Sequence, residues 1–98
     1  MSELTRITKP LDLIRLSLDQ EIYVRLIEGR ELKGKLHGFD QHPNLIMEDV
    51  DETITKVEID PDTLEETSVK THKSHEMLFV RAENIIRISP MLQKRIAL

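Results

Sequence analysis

The chain has 98 residues, 18 acidic and 14 basic, a formal charge of −4, one tyrosine, two phenylalanines and no cysteine. This length holds one domain, since domains typically run about 100–150 residues, and without disulfides or thiolate metal sites its stability must come from packing or oligomerisation. No apolar run nears the ~18 residues of a membrane span, and Met1-Ser2-Glu3-Leu4-Thr5-Arg6 does not lead into a signal-peptide core. Taken as averages, an acidic balance and few aromatics speak against a general nucleic-acid binder or a base-stacking sheet.

The charge is regional. Residues Glu48 to Glu66 hold nine acids against one base, Lys56, so that stretch carries −8; the other 13 bases and nine acids leave +4 elsewhere. Such a cluster reads as a solvated face and loop, or more sharply as a surface that repels nucleic acid and confines it elsewhere.

In chain order, Thr8-Lys9-Pro10 followed by Leu11, Ile14 and Leu18 predicts a short helix. Thr8 or Lys9 stands at its cap, Pro10 and Asp12 in its first turn, and Arg15 faces away from the apolar stripe. At Glu21 the period changes to two: Ile22, Val24 and Leu26 alternate with Tyr23, Arg25 and Ile27 as in a strand. Glu28-Gly29-Arg30 is a tight turn. The second strand, Glu31 to Phe39, carries Gly34 and Gly38 on one face, which predicts a strand bent by bulges or close backbone approach.

Asp40-Gln41-His42-Pro43-Asn44 is a loop. Leu45, Met47, Val57 and Ile59 mark a long third strand, less regular from Val50 to Ile54 and ended by Asp60-Pro61-Asp62. Leu64 to Ser74 is polar and aperiodic and reads as a loop. Met77 to Arg81 and Ile85 to Ser89 read as two short strands around Ala82-Glu83-Asn84, and Leu92 to Leu98 as a short basic helical tail. The fold class is mainly β: one helix, then five strands forming a small, strongly bent barrel. One domain spans 1–98, with a core of about 10–90 and a tail of 91–98.

Catalysis finds no support. There is no cysteine nucleophile, nucleophile elbow, Walker loop or Gly-rich dinucleotide turn. His72-x-x-His75 falls short of a zinc site, which normally shows three or four ligands, so these read as exposed loop histidines and no metal or cofactor is expected. Asp40, His42 and Asn44 form a more informative set. A carboxamide can read a base edge through two hydrogen bonds, an imidazole can stack on an unpaired base, and Asp40 can orient Asn44. The alternative is an Asx-type turn in which Asp40 and Asn44 only satisfy backbone groups. Arg81 is similarly open, between an ion-pairing surface arginine and a guanidinium stacked on a base.

These positions together resemble the two-part motif of the Sm and Sm-like (LSm) family. The first part is Ile22-x-Val24, then Gly34-x-Leu36-x-Gly38-Phe39-Asp40-x-x-x-Asn44-Leu45-x-Met47-x-Asp49; the second is Leu78 to Asn84 followed by Ile85 to Ser89. Pro10 to Asp19, Phe39 to His42 and Asp51 to Ile54 are similar to the third group of U6 snRNA-associated Sm-like proteins. The resemblance implies an N-terminal helix on a bent five-stranded antiparallel barrel. It implies a ring, commonly of seven, closed by the fourth strand of one subunit pairing with the fifth of its neighbour. Two short apolar strands at a chain end would otherwise leave an exposed sheet edge.

The resemblance further implies binding of U-rich single-stranded RNA, such as the 3′ ends of U6 snRNA and mRNA, with no DNA or membrane partner. His42 would stack on a uracil, Asn44 read its edge, Asp40 position Asn44, and Arg81 close the base from the other side. The implied role is a non-enzymatic ring subunit in the spliceosome, in mRNA decay or in both, in nucleus and cytoplasm. The alternatives are a structural ring subunit or an acidic protein-interaction module with little RNA contact. One departure stands out: Arg81-Ala82-Glu83 replaces the usual Arg-Gly-Asp or Arg-Gly-Asn. If that turn needs a positive φ, Ala82 costs about 1 kcal/mol, and Glu83 brings a longer acid to the base site.

Overall fold

The computed structural model describes residues 10–91, so a cap at Thr8 or Lys9 and a tail helix from Leu92 lie outside the described residues. Helix α1 (Pro10–Leu16) is followed by strands β1 (Glu21–Leu26), β2 (Arg30–Phe39), β3 (Leu45–Ile59), β4 (Glu66–Val80) and β5 (Ile85–Pro90), with a 3-10 turn at Ala82–Asn84. All pairings are antiparallel, and the bent sheet runs β4-β3-β2-β1-β5. Strands β4 and β5 are therefore its open edges.

The alternation read in the sequence becomes the core. Ile22, Val24 and Leu26 of β1, Leu32 and Leu36 of β2, and Leu45, Met47 and Val50 of β3 are buried against Val80 and Ile14. Helix α1 is shorter than its stripe: Ser17 Oγ donates to the Leu13 carbonyl at 3.0 Å, and Leu18 reaches the core from the following turn. Asp19 N–H donates to Leu36 O at 2.8 Å and Leu36 N–H to Gln20 O at 3.0 Å, fixing that turn to the middle of β2.

The β1–β2 turn has positive φ at both Glu28 and Gly29. At Gly29 (φ +71°) a Cβ would also stand 2.4 Å from the Thr55 carbonyl oxygen, so only glycine fits. Gly34 and Gly38 both sit at register shifts between β2 and β3, as the sequence predicts for bend points. Their reasons differ. A Cβ on Gly34 would lie 3.0 Å from Val50 Cγ2 and 3.1 Å from the Glu48 carbonyl oxygen, whereas one on Gly38 would meet nothing within 4 Å. Close approach therefore holds only for Gly34. Opposite it, Asp49 (φ 52°) bulges out of β3 and shifts the inward positions from Met47 to Val50.

The segment predicted as a loop from Leu64 to Ser74 is instead mostly strand. Strand β4 starts at Glu66 and pairs with β3 from Ile59↔Glu66 to Leu45↔Val80. Beyond Ile54, β3 has lost its β2 partner, so β3 and β4 continue as a two-stranded ribbon with both faces in water. Without a buried face the sequence has no reason to alternate. Val57 and Ile59 lie in the predicted strand, but each is 60% exposed.

The two histidines belong to this strand. His72 and His75 stand on β4, three residues apart and so on opposite faces, not in a loop. His72 Nδ1 lies 3.2 Å from Thr53 Oγ1, and His75 Nε2 lies 2.8 Å from Glu52 Oε1. Glu52 also accepts from Arg30 Nε at 2.6 Å and is only 3% exposed. One member of the acidic stretch is thus buried and ion-paired, not part of a solvated face.

Candidate nucleic-acid interface

The loop between β2 and β3 is organised by one carboxylate. Asp40 Oδ1 accepts the backbone N–H of Asn44 at 2.7 Å and of His42 at 2.9 Å, and its Oδ2 accepts the Asn44 side-chain amide at 2.8 Å. The Asp40 N–H donates back to the Asn44 carbonyl at 3.1 Å, and His42 Nδ1 lies 3.2 Å from Oδ2. The Asx-turn and the orienting role, which the sequence left as alternatives, coexist on the two oxygens of Asp40. Bonds from the Asn44 backbone and then the Asn44 amide, joined by those from His42, hold the Asp40 carboxyl well below the usual carboxylate range. The carboxylate is exposed and stays charged.

The second half of the site arrives from 38 residues downstream. Asn44 Oδ1 accepts the backbone N–H of Ala82 at 2.8 Å, so one carboxamide joins the loop to the 3-10 turn that follows β4. The adjoining Leu45↔Val80 pair sets that meeting in register. A side-chain motif cannot advertise this partner, because the donor is a peptide N–H. His42 remains 74% exposed at its side chain, leaving the ring free for contact.

Arg81 and Glu83 stand in the same turn. Arg81 is extended (φ −79°, ψ 136°) and its Nε lies 2.8 Å from Glu83 Oε1, with both side chains 66% exposed. Ala82 is not among the positive-φ residues; it opens a 3-10 turn that any L residue adopts. The strain expected from replacing glycine is absent. What this Ala-Glu sequence adds is a local acid that occupies the arginine. The structure thus joins Asp40, His42 and Asn44 to Ala82 by hydrogen bonds, with Arg81 and Glu83 on either side of Ala82 in the chain. Among the described residues no group of three or more histidine or acidic side chains is placed to hold a metal ion.

A strongly bent antiparallel sheet, an N-terminal helix and this pair of linked loops define an Sm-type fold. The LSM domain model matches residues 12–90, and the chain belongs to that family, whose members are not enzymes. It is similar to the Sm-like protein LSM3B of Arabidopsis thaliana, 58% identical over 89% of each chain. It is 52% identical to a probable U6 snRNA-associated Sm-like protein LSm3 of Dictyostelium discoideum, over 89% of this chain and 90% of that one. Among solved structures, a Pyrococcus abyssii Sm protein in complex with a uridine heptamer matches with TM-score 0.63 and 30% identity, over 85% of this chain and 99% of that one. A heptameric archaeal Sm protein matches with TM-score 0.59 and 29% identity, over 81% and 96%.

Proposed function

We propose that this chain is an RNA-binding subunit of a heteromeric Sm-like ring that takes U-rich single-stranded RNA. In this reading the ring acts on U6 snRNA in pre-mRNA splicing and on mRNA 3′ ends in decay, in nucleus and cytoplasm. The observation that carries it is the carboxamide of Asn44, held at one end by Asp40 and at the other by the Ala82 N–H, beside the exposed ring of His42. A fixed carboxamide offers its remaining donor and acceptor in one direction, which suits the edge of a uracil. His42 stacks on the base, Asp40 positions Asn44, and Arg81 closes the base from the other side. Support also comes from the uridine-bound Sm relative and from the U6-associated name of the Dictyostelium protein.

The open β4 and β5 edges suit pairing with neighbouring Sm-like subunits. One base pocket per subunit gives weak binding, and several pockets around a ring give avidity. One observation favours a second reading, a ring subunit with little RNA contact of its own: Glu83 already occupies Arg81. The test is oligo-U binding by the assembled ring, with and without Asn44→Ala plus Arg81→Ala. A loss of about tenfold or more is expected from one missing carboxamide pair and one missing stack. Equal affinity would leave only the second reading.

A further inference from the structure

The sheet face turned away from the core carries two polar rows that cross all five strands. Strand pairing aligns Arg87, Arg25, Glu31, Thr53 and His72 in one row, and Ser89, Tyr23, Lys33, Asp51 and Ser74 in the next. Arg25 and Arg87 are direct cross-strand partners, both exposed, and neither forms an ion pair among the described residues. Like charges directly opposite on a sheet repel. The nearest acid in the row, Glu31 opposite Arg25, accepts the Tyr23 hydroxyl and is ion-paired to neither arginine, so it offsets only part of their charge. In the next row Asp51 stands opposite Lys33 and takes the Ser74 hydroxyl at 3.4 Å. Arg87 lies over the Tyr23 ring, its Cζ 5.8 Å from the centroid, which holds that guanidinium on this face of the sheet. In a chain of net charge −4, two adjacent arginines against the single carboxylate of Glu31 leave this end of the row locally cationic.

We propose that Arg25 and Arg87 form a second RNA contact, a clamp for one phosphodiester oxyanion of the strand whose bases are read at Asn44. The inference rests on the RNA-binding reading above and adds a part of the site that is indifferent to base identity. Two planar guanidinium forks on directly paired cross-strand residues can converge on one phosphate, which they match in charge and in donor geometry. A bound phosphate also removes the repulsion between them. Position favours the same strand: β5 continues from the 3-10 turn, so Arg87 lies six residues from Arg81, at most ~20 Å of extended chain.

The test uses the assembled ring with its Sm-like partners and compares Arg25→Gln/Arg87→Gln, Asn44→Ala/Arg81→Ala and Lys56→Gln, a neutralisation on the distal ribbon. Binding of oligo-U and oligo-C is measured from 50 to 200 mM salt. The arginine double variant should weaken both RNAs equally, by about 3- to 10-fold at 50 mM salt, and flatten the salt dependence by about 0.7 for each phosphate no longer neutralised. Arg25→Lys/Arg87→Lys should restore most of the slope and part of the affinity. Lys56→Gln should change neither. Unchanged affinity and slope in the arginine variant, while Asn44→Ala/Arg81→Ala still weakens oligo-U binding about tenfold or more, would overturn the clamp alone. Failure of the wild-type ring to bind either RNA would overturn the RNA reading itself. A folded arginine variant that no longer assembles, judged by circular dichroism and sedimentation, would make these arginines neighbour contacts and would also overturn the clamp.

Discussion

The Asn44 side chain accepts the Ala82 N–H at 2.8 Å while its amide donates to Asp40 at 2.8 Å, so one residue links two loops that stand 38 positions apart. Replacing it with alanine leaves the part-buried Ala82 N–H and one Asp40 oxygen without these partners. We expect Asn44→Ala to cost about 1–2 kcal/mol. Urea unfolding gives the cost, and faster hydrogen exchange at the Ala82 amide identifies its origin.

Asp40 supplies a pH signature for the same loop. Its folded carboxyl lies below its unfolded value, so its contribution is present above the ordinary carboxylate range and is lost only as pH falls through the folded value. The Asn44 side-chain amide resonance should therefore hold its position from neutral pH down to about pH 4, near the unperturbed aspartate value. A titration step centred at that ordinary aspartate value would show that Asp40 does not hold the loop. Asp40→Asn should shift that resonance at every pH.

The buried Glu52 predicts a second pH effect. Burial pushes its carboxyl up, and the bonds from His75 and Arg30 more than offset this, so the net direction is down. Stability from this cluster is present above the unfolded glutamate range and falls as pH drops through the folded value. Glu52→Gln should lower the urea midpoint at neutral pH and flatten its decline between about pH 5 and 3. Arg30→Met, which strips one partner from the carboxylate, should cost about 2–3 kcal/mol; Arg30 is 37% exposed, which keeps the cost below that of a fully buried pair.

The two bend glycines should separate in a mutational test. Gly34→Ala drives a methyl group against Val50 and the Glu48 carbonyl and should destabilise by about 1–3 kcal/mol. Gly38→Ala meets open space at an ordinary φ and should be neutral, or stabilising by up to about 1 kcal/mol. Thermal unfolding of both variants decides this. Equal losses would mean that the bend, not contact with Val50, requires glycine.

Hydrogen exchange should also divide β3 in two. Amides of residues 45–53 lie between β2 and β4, whereas those beyond Thr55 belong to a ribbon with one partner on each strand. A two-stranded ribbon is marginal in water by itself, so its amides should exchange through local opening well below the global free energy. Uniform protection along β3 would contradict this.

Much of the architecture was legible because burial writes a period into the chain. Ile22, Val24 and Leu26 alternate since one face of β1 meets the core, and the glycines of β2 coincide with both register shifts. The motif residues were legible for a different reason: Asp40, His42 and Asn44 fall within five positions, close enough for a local turn to bring them together. By itself the sequence thus determined the helix, the hydrophobic strands, the bend and the local loop chemistry. Only the tertiary structure decided the rest. The outer half of β4 has no buried face, so its strand state exists through hydrogen bonds to β3 alone. His75 became a hydrogen-bond partner of Glu52, and Ala82 an unstrained donor for Asn44, through contacts made across the sheet, 23 and 38 residues apart. Such contacts leave no local pattern, because the ladder that creates them forms only when distant strands meet.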